Sequence, residues 1–414
     1  MATTVTEQPV NYHPAYNPIW FGASSTKTAE TNFKFIFEVF LEGSVTVDRT
    51  FKVNAHPTSG KGFVDIHKYI ETQITSDISI SDTNIEQNPN SIIQYSVKVG
   101  EEYNVAGVLT EFLAQNTVSG QYSFNGAINF NDYVDFDNGV FTYPFDAATP
   151  VSFLTNAPTT QNISLTESAF LYGLIDTSNS FKWLHVTTKD STGATNGEFQ
   201  IVYDNATIPA TTDQAIRCPA GINLNEINGA DITTVSGATP ILDSDVDSYE
   251  IYAESSTNAA TSTTYTFNVV DRDCKYTPHR IYFLNELGGF DAFTFDLISK
   301  KRWSKTEKEY KREAALFNTD GTVTYSKGRH QKRPFYSSTK ESMVLNTDWI
   351  SEAESVWLRE LFDSPEIYII ISSELVAISK ITEVDYEEKT SVVDGVHNLT
   401  FTVEYSWDNV RQRC

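Results

Sequence analysis

Cysteine is scarce in these 414 residues: Cys218, Cys274 and Cys414 are odd in number and far apart. Their spacing excludes a disulfide framework and a zinc site. Nowhere do 18 apolar residues run together, so no membrane-spanning helix is expected. The opening MATTVTEQPVNYHPAYNP has no apolar stretch, and no secretory signal is expected from it. Cations are in deficit, with 30 Lys and Arg against 54 Asp and Glu and a net charge of −24. That balance disfavours nucleic acid as a partner, because such binding is gained by neutralising phosphates. Also missing are H-E-x-x-H, G-x-S-x-G and the Walker A phosphate loop. The seven histidines (His13, His56, His67, His185, His279, His330 and His397) scatter along the whole chain. No catalytic residue and no cofactor is expected, and the chain reads as a non-enzyme.

What is present favours strands. Aromatic residues make up 13% of the chain, 26 Phe and 21 Tyr among them, while charged residues are only 20%. Thr, Ser and Asn supply much of the polar remainder. The expected fold class is mainly β and multi-domain, with antiparallel β-sandwich-like domains and one or two short packed helices. Four parts are expected: an extended N-terminal arm over 1–30, a β-rich domain with one helix over 31–105, a Thr/Ser/Asn-rich and outward-facing β domain over 106–270, and a C-terminal β domain over 271–414.

Pro14 and Pro18 exclude helix from the arm, whose Tyr12, Tyr16, Trp20 and Phe21 need something to pack against. FKFIFEVFL (33–41) reads as a strand with 44–55 as its hairpin partner. GFVDIHKYIETQI (62–74) spaces Phe63, Ile66, Ile70 and Ile74 as in a short amphipathic helix. In SEAESVWLRELF (351–362), Ser351 and Glu354 form a capping box. Ala353, Val356, Trp357, Leu361 and Phe362 make its apolar stripe, and Pro365 stops it. LTFTVEYSW (399–407) alternates, sending Leu399, Phe401, Val403, Tyr405 and Trp407 inward. RIYFLNELGGFDAFTFDL (280–297) is a hairpin turned by Leu287 and Gly288–Gly289, and reads as scaffold.

Acids are abundant enough to pair by chance, so paired carboxylates alone do not argue for a glycosidase. Asp243, Asp245 and Asp247, with Glu254 at the twelfth position, are weak metal candidates. A calcium loop needs glycine at its sixth position, and Ser248 stands there instead. A solvated acidic turn is expected. The acidic turn at 131–141 is read the same way, its Asp-Asn-Gly being first a hairpin signal. The Asn-x-Ser/Thr triplets at Asn162, Asn205 and Asn398 would accept glycans only in a secretory pathway.

Against the acidic background stands one basic segment. Residues 300–333 hold 11 Lys or Arg and 4 acids, a net of +7 that leaves −31 for the rest. Lys and Arg along a solvated strand edge would explain it plainly. The asymmetry favours an intermolecular contact instead, with this arm meeting the acidic face of a neighbour. Lys308, Lys311, Arg312, Lys332 and Arg333 are the expected contacts there, beside Tyr12, Tyr16, Trp20 and Phe21 of the N-terminal arm.

The phrases YHPAYNPIWF, IYFLNELGGFDAFTFD and DWISEAESVWLRELFDSPEIYI resemble those of tail-associated virion structural proteins from tailed phages of Bacteroidetes hosts, of the crAss-like or flavobacterial phage type. The resemblance covers about the first 100 and the last 140 residues. It implies a structural protein with no catalytic residues. The expectation is a non-enzymatic virion protein of the tail, its tip or baseplate, made in the host cytoplasm and assembling as a symmetric ring. Its partners would be copies of itself and other tail proteins. The alternative is a head or tail fibre or adhesin that binds the host surface or its glycans.

Overall fold

A computed structural model describes residues 3–80, 84–129, 143–145, 148–176, 181–202, 214–272, 275–382 and 396–407. The acidic turn at 131–141, Asn205, Cys274 and Cys414 lie outside them. The fold is mainly β, with 51% of the chain in strands and 8% in helix. The chain divides into two compact units. One is Met1–Asp271 with Leu284–Ala292, the other Arg272–Phe283 with Phe293–Cys414.

The first unit holds two sandwiches. In one, a five-stranded sheet runs in the order Tyr12–Pro14, Val108–Phe124, Ile92–Val105, Lys34–Leu41, Arg49–Val53. It packs on a three-stranded sheet of Thr3–Glu7, Trp20–Ser25 and Gly62–Asp65. Phe35, Phe37, Val39, Tyr95, Val97 and Val99 from the larger sheet meet Phe21, Ala23 and Val64 from the smaller. In the other, a six-stranded sheet contributes Leu184, Val186, Phe199, Ile201, Tyr249 and Ile251. A three-stranded sheet contributes Leu171, Ile216 and Cys218 to the same core. The larger sheet pairs Thr160–Ile163 in parallel with Tyr265–Val269, so it is mixed rather than purely antiparallel.

Several expectations are corrected here. Residues 1–30 are not a free arm, because three of their segments are strands of the first sandwich. Alternation in Trp20–Ser25 turns Phe21 and Ala23 fully inward, and the carboxylate of buried Glu101 accepts from the hydroxyls of Thr3 (2.7 Å) and Ser25 (2.5 Å). Pro14 needs no N–H for its place, since Tyr12–Pro14 is an edge strand, paired in parallel with Tyr122–Phe124. The division at 105/106 falls inside a hairpin turn, where Ala106 and Gly107 take positive φ and join two strands paired along their length. Composition shifts there, but the sheet does not end. Residues 62–74 form a strand, one helical turn (His67–Ile70) and a 3₁₀ turn (Glu71–Gln73). Ile66, Ile70 and Ile74 are buried and Phe63 is exposed.

The turn of the 280–297 hairpin, counted with the first unit, is built into it. The Asn285 carboxamide oxygen accepts from the N–H groups of Leu287 and Gly289, both at 3.0 Å, and its amide donates to Leu154 O at 2.8 Å. Gly288 sits at φ +86°, where an added Cβ would lie 2.4 Å from Asn125 O.

In the second unit, one seven-stranded sheet carries the fold. Its order is Phe290–Phe295, His279–Leu284, Ile367–Ile371, Glu374–Thr382, Thr400–Tyr405, Lys332–Asn346, Lys300–Lys311. Ser351 caps Glu352–Trp357 through the expected capping box, after which the chain turns at Leu358 and resumes as Glu360–Asp363. That break exposes Val356 and buries Leu358, which the stripe had omitted. Trp357 packs on Phe283 at 5.7 Å and Phe362 on Phe401 at 4.8 Å. Phe401, Val403 and Tyr405 face inward, whereas Trp407 lies past the strand end and is exposed.

Candidate functional site: a basic hairpin

Lys300–Lys311 is the edge strand of the second unit's sheet, and every one of its twelve residues is exposed. Twelve residues at strand rise span roughly 40 Å. Its neighbour Lys332–Asn346 is flanked on the far side by Thr400–Tyr405, but only over Ser342–Asn346. Among the described residues, the two strands pair only with each other beyond Ser342. They continue to a tip formed by Ala315–Phe317 and Val323–Tyr325. Gly321, at φ +79°, turns that tip. Hydrogen bonds from the Thr322 hydroxyl (2.6 Å) and N–H (2.9 Å) hold the Asp320 carboxyl below its usual range.

Pairing partners in an antiparallel ladder share a face, and neighbours along a strand alternate. On Lys300–Lys311 the even positions therefore present Lys300, Arg302, Lys308 and Tyr310, together with Ser304 and Thr306. The odd positions present Lys301, Trp303, Lys305, Glu307, Glu309 and Lys311. The partner strand follows suit. Tyr336, Ser338, Lys340 and Ser342 oppose even positions, while Ser337, Thr339, Glu341 and Met343 oppose odd ones. Between Lys308 and Glu309 the register shifts past Phe335, and Arg333 then stands opposite Tyr310. The paired strands thus have one face with no carboxylate of their own and another that carries Glu307, Glu309 and Glu341.

The two faces differ in how their charge is met. On the odd face Lys305 forms an ion pair with Glu307, and Glu341 together with burial pushes the Tyr405 phenol up to about 12, burial being the larger cause. On the even face Lys300, Lys308 and Arg333 form no ion pair among the described residues. At the root this face meets an acid. There Glu404 of the adjacent strand, opposite Ser342, accepts from Lys340 at 2.7 Å. An open hollow at the root is lined by Lys301, Arg302, Trp303 and Ser304 together with Lys340, Ser342, Thr402 and Glu404.

Apolar surface gathers on the same segment. Of 22 exposed large hydrophobic residues among those described, eight lie within 303–336, which is far above that segment's share of the chain. At the tip Phe317 and Val323 face each other across the strands, as do Ala315 and Tyr325, so all four share a face. Phe317 is 75% and Tyr325 77% exposed.

The expected contact residues fall into three groups. Lys308 and Arg333 lie on the even face, Lys311 and Lys332 on the odd face, and Arg312 just past the paired strands. Tyr16 and Trp20 are exposed on the first unit, and Tyr12 stacks on Tyr122 at 5.0 Å. Phe21 is withdrawn as a contact, because it is core. The residues sequence reasoning missed are Lys300, Arg302, Tyr310 and Tyr336; strict alternation along 300–311 would have placed the first three. Asp243 and Glu254 do not converge. Asp243 accepts from the N–H of Asp245 at 2.9 Å, while Glu254 is 3% exposed and accepts from Gln200 at 2.7 Å. No group of three or more His, Cys, Asp or Glu among the described residues is placed to hold a metal ion. No helix among them is long and apolar enough to cross a membrane.

No family model matches the chain, and no curated protein matches it. Among solved structures, it is similar to dimeric latent PorU from Porphyromonas gingivalis, at 7% identity and a TM-score of 0.16. The match covers 83% of this chain and 32% of that one, so this chain spans about a third of its length. A likeness at that score carries no argument about fold or function.

Proposed function

We propose that the chain is a non-enzymatic structural component of a tailed-phage virion, in the tail or its tip or baseplate. Its copies assemble into a symmetric ring through the basic hairpin. The observation that carries this reading is the hairpin itself. Two strands with no third among the described residues beyond Ser342 are marginal in water, yet these keep twelve exposed residues, a net +7 segment and an apolar tip. Such a segment gains order when it docks, and the −31 of the remaining chain is charge of the complementary sign. A heterologous contact of arm on body closes into a ring when the rotation between copies allows it. The resemblance of its phrases to those of tail-associated proteins supports the same reading.

The runner-up is a fibre or adhesin that holds host-surface glycan. It draws on the six-stranded sheet, where pairing puts Trp183, His185 and Tyr252 on one face, His185 stacked on Tyr252 at 4.7 Å and Lys182 over the Trp183 ring at 4.5 Å. Mass measurement of the purified chain over a range of concentration and salt tests both readings. Assembly into discrete oligomers that dissociate at high salt is the expected result. A chain that stays monomeric throughout sinks the ring. If that monomer is retained on polysaccharide from the host surface, the runner-up takes its place. Deleting residues 1–30 would not serve as a test, since those strands complete the first sandwich.

A further inference from the structure

We infer that the hairpin engages through its even face alone, and that this face docks on an acid-rich surface of a second copy of this chain. The inference rests on the assembly reading and adds to it a single face and a single occupant. Every carboxylate on the two paired strands lies on the odd face, where Lys305 already meets Glu307. The even face presents Lys300, Lys308 and Arg333 without ion pairs among the described residues. Tyr310 and Tyr336, with the hydroxyls of Ser304, Thr306 and Ser338 on their root side, add neutral donors that carboxylates accept. Lys300 and Lys308, eight residues apart on one strand, stand roughly 27 Å apart, so they reach separate carboxylates rather than crowding one. The occupant follows from supply and sign. The rest of the chain carries −31, and every copy brings those acids to the assembly in equal number with the arm. An arm with acids on both faces would repel that surface whichever way it lay. Confining them to one face gives the docked arm a defined side.

Charge-matched variants test the face. Lys300→Glu, Lys308→Glu and Arg333→Glu together change the net charge by the same amount as Lys301→Glu, Lys311→Glu and Lys332→Glu together. Sedimentation at low salt should show the even-face set weakening self-association at least about a hundredfold and the odd-face set less than about threefold. The difference should close as added salt screens it. A glutamine version of the even-face set, expected to weaken association about tenfold, covers the case in which three reversals disturb folding. Equal weakening by both glutamate sets overturns the face while leaving the assembly reading standing. A wild-type chain that never associates overturns both. A 30-base-pair DNA duplex and vesicles of anionic phospholipid serve as rival occupants. If the even-face set loses binding to either probe but keeps self-association, the second copy is the wrong occupant.

Discussion

Two long hairpins in this molecule have nearly equal strands and opposite fates. In the first unit Ile92–Val105 and Val108–Phe124 lie inside a five-stranded sheet, flanked by Lys34–Leu41 on one side and Tyr12–Pro14 on the other. In the second unit Lys300–Lys311 and the part of Lys332–Asn346 outside Ser342 pair, among the described residues, with no third strand. The cause lies in the alternate positions. Tyr95, Val97 and Val99 give the first hairpin an apolar face that is buried when a second sheet covers it. The same periodicity in KKRWSKTEKEYK sets cations and hydroxyls on one face and mixed charge on the other, so neither face can pay for burial. Strand periodicity sets the pairing, and side-chain chemistry on the faces decides whether the ribbon joins a core or stays outside one.

The sharpest test of that contrast swaps one tyrosine for alanine in each hairpin. Tyr95 is buried, meets His13 and Phe21 edge-on at 5.7 and 6.4 Å, and donates its hydroxyl to His13 Nε2 at 2.8 Å. Tyr95→Ala should cost about 3–5 kcal/mol in chemical denaturation, the usual range for removing a large aromatic from a core. Tyr310→Ala, on an exposed ribbon, should change monomer stability by less than about 0.5 kcal/mol. A loss at Tyr310 approaching that at Tyr95 would mean that the ribbon is packed in solution, and the contrast would fail.

Acid should separate the two regions next. Burial pushes His13 down to about 4 from an ordinary 6.5, and its Nδ1–H donates to Val10 O at 2.8 Å. The folded chain keeps this imidazole neutral, while the unfolded chain protonates it below about 6.5. Stability from this site is therefore whole above pH 6.5 and falls by roughly 1.4 kcal/mol per unit down to about pH 4, some 3 kcal/mol in all. Many carboxylates titrate over part of the same range, so the measured quantity is the difference between wild type and His13→Asn. That difference should narrow with falling pH. A constant difference from pH 7 to 4 would show that the folded chain protonates His13 as readily as the unfolded chain does.

How far these regions could be read in advance follows the same physics. LTFTVEYSW shows its inward Phe401, Val403 and Tyr405 because one face is apolar, and the capping box at Ser351 is local chemistry that a sequence displays. The 1–30 segment misled because proline and scattered aromatics look the same in a free arm and in short edge strands. Only pairing with distant partners such as Phe124 and Asp65 distinguishes them. The basic segment stood out by charge, yet its two faces were half hidden. Alternation sorts 300–311, but the partner's faces depend on a register shift past Phe335 that no local signal announces.

The smallest effects should come from one carboxylate in each hairpin. Glu102 is buried in the packed hairpin, with Lys52 Nζ at 2.6 Å from one oxygen and Lys34 Nζ at 3.9 Å from the other. Lys52 also reaches Glu111 at 2.6 Å, so Glu102→Gln would leave it one partner and keep the loss moderate. A cost of roughly 1–3 kcal/mol is expected, most of it from a buried carboxamide that matches neither ammonium well. Glu307 of the free ribbon pairs with Lys305 where both side chains keep substantial contact with water. Solvent and salt screen that pair, and Glu307→Gln should move stability by no more than about 0.5 kcal/mol. The two substitutions remove the same charge from strands of the same kind. If urea denaturation finds equal losses, burial beside Lys52 and Lys34 contributes nothing, and what separates the hairpins is not the chemistry of their faces.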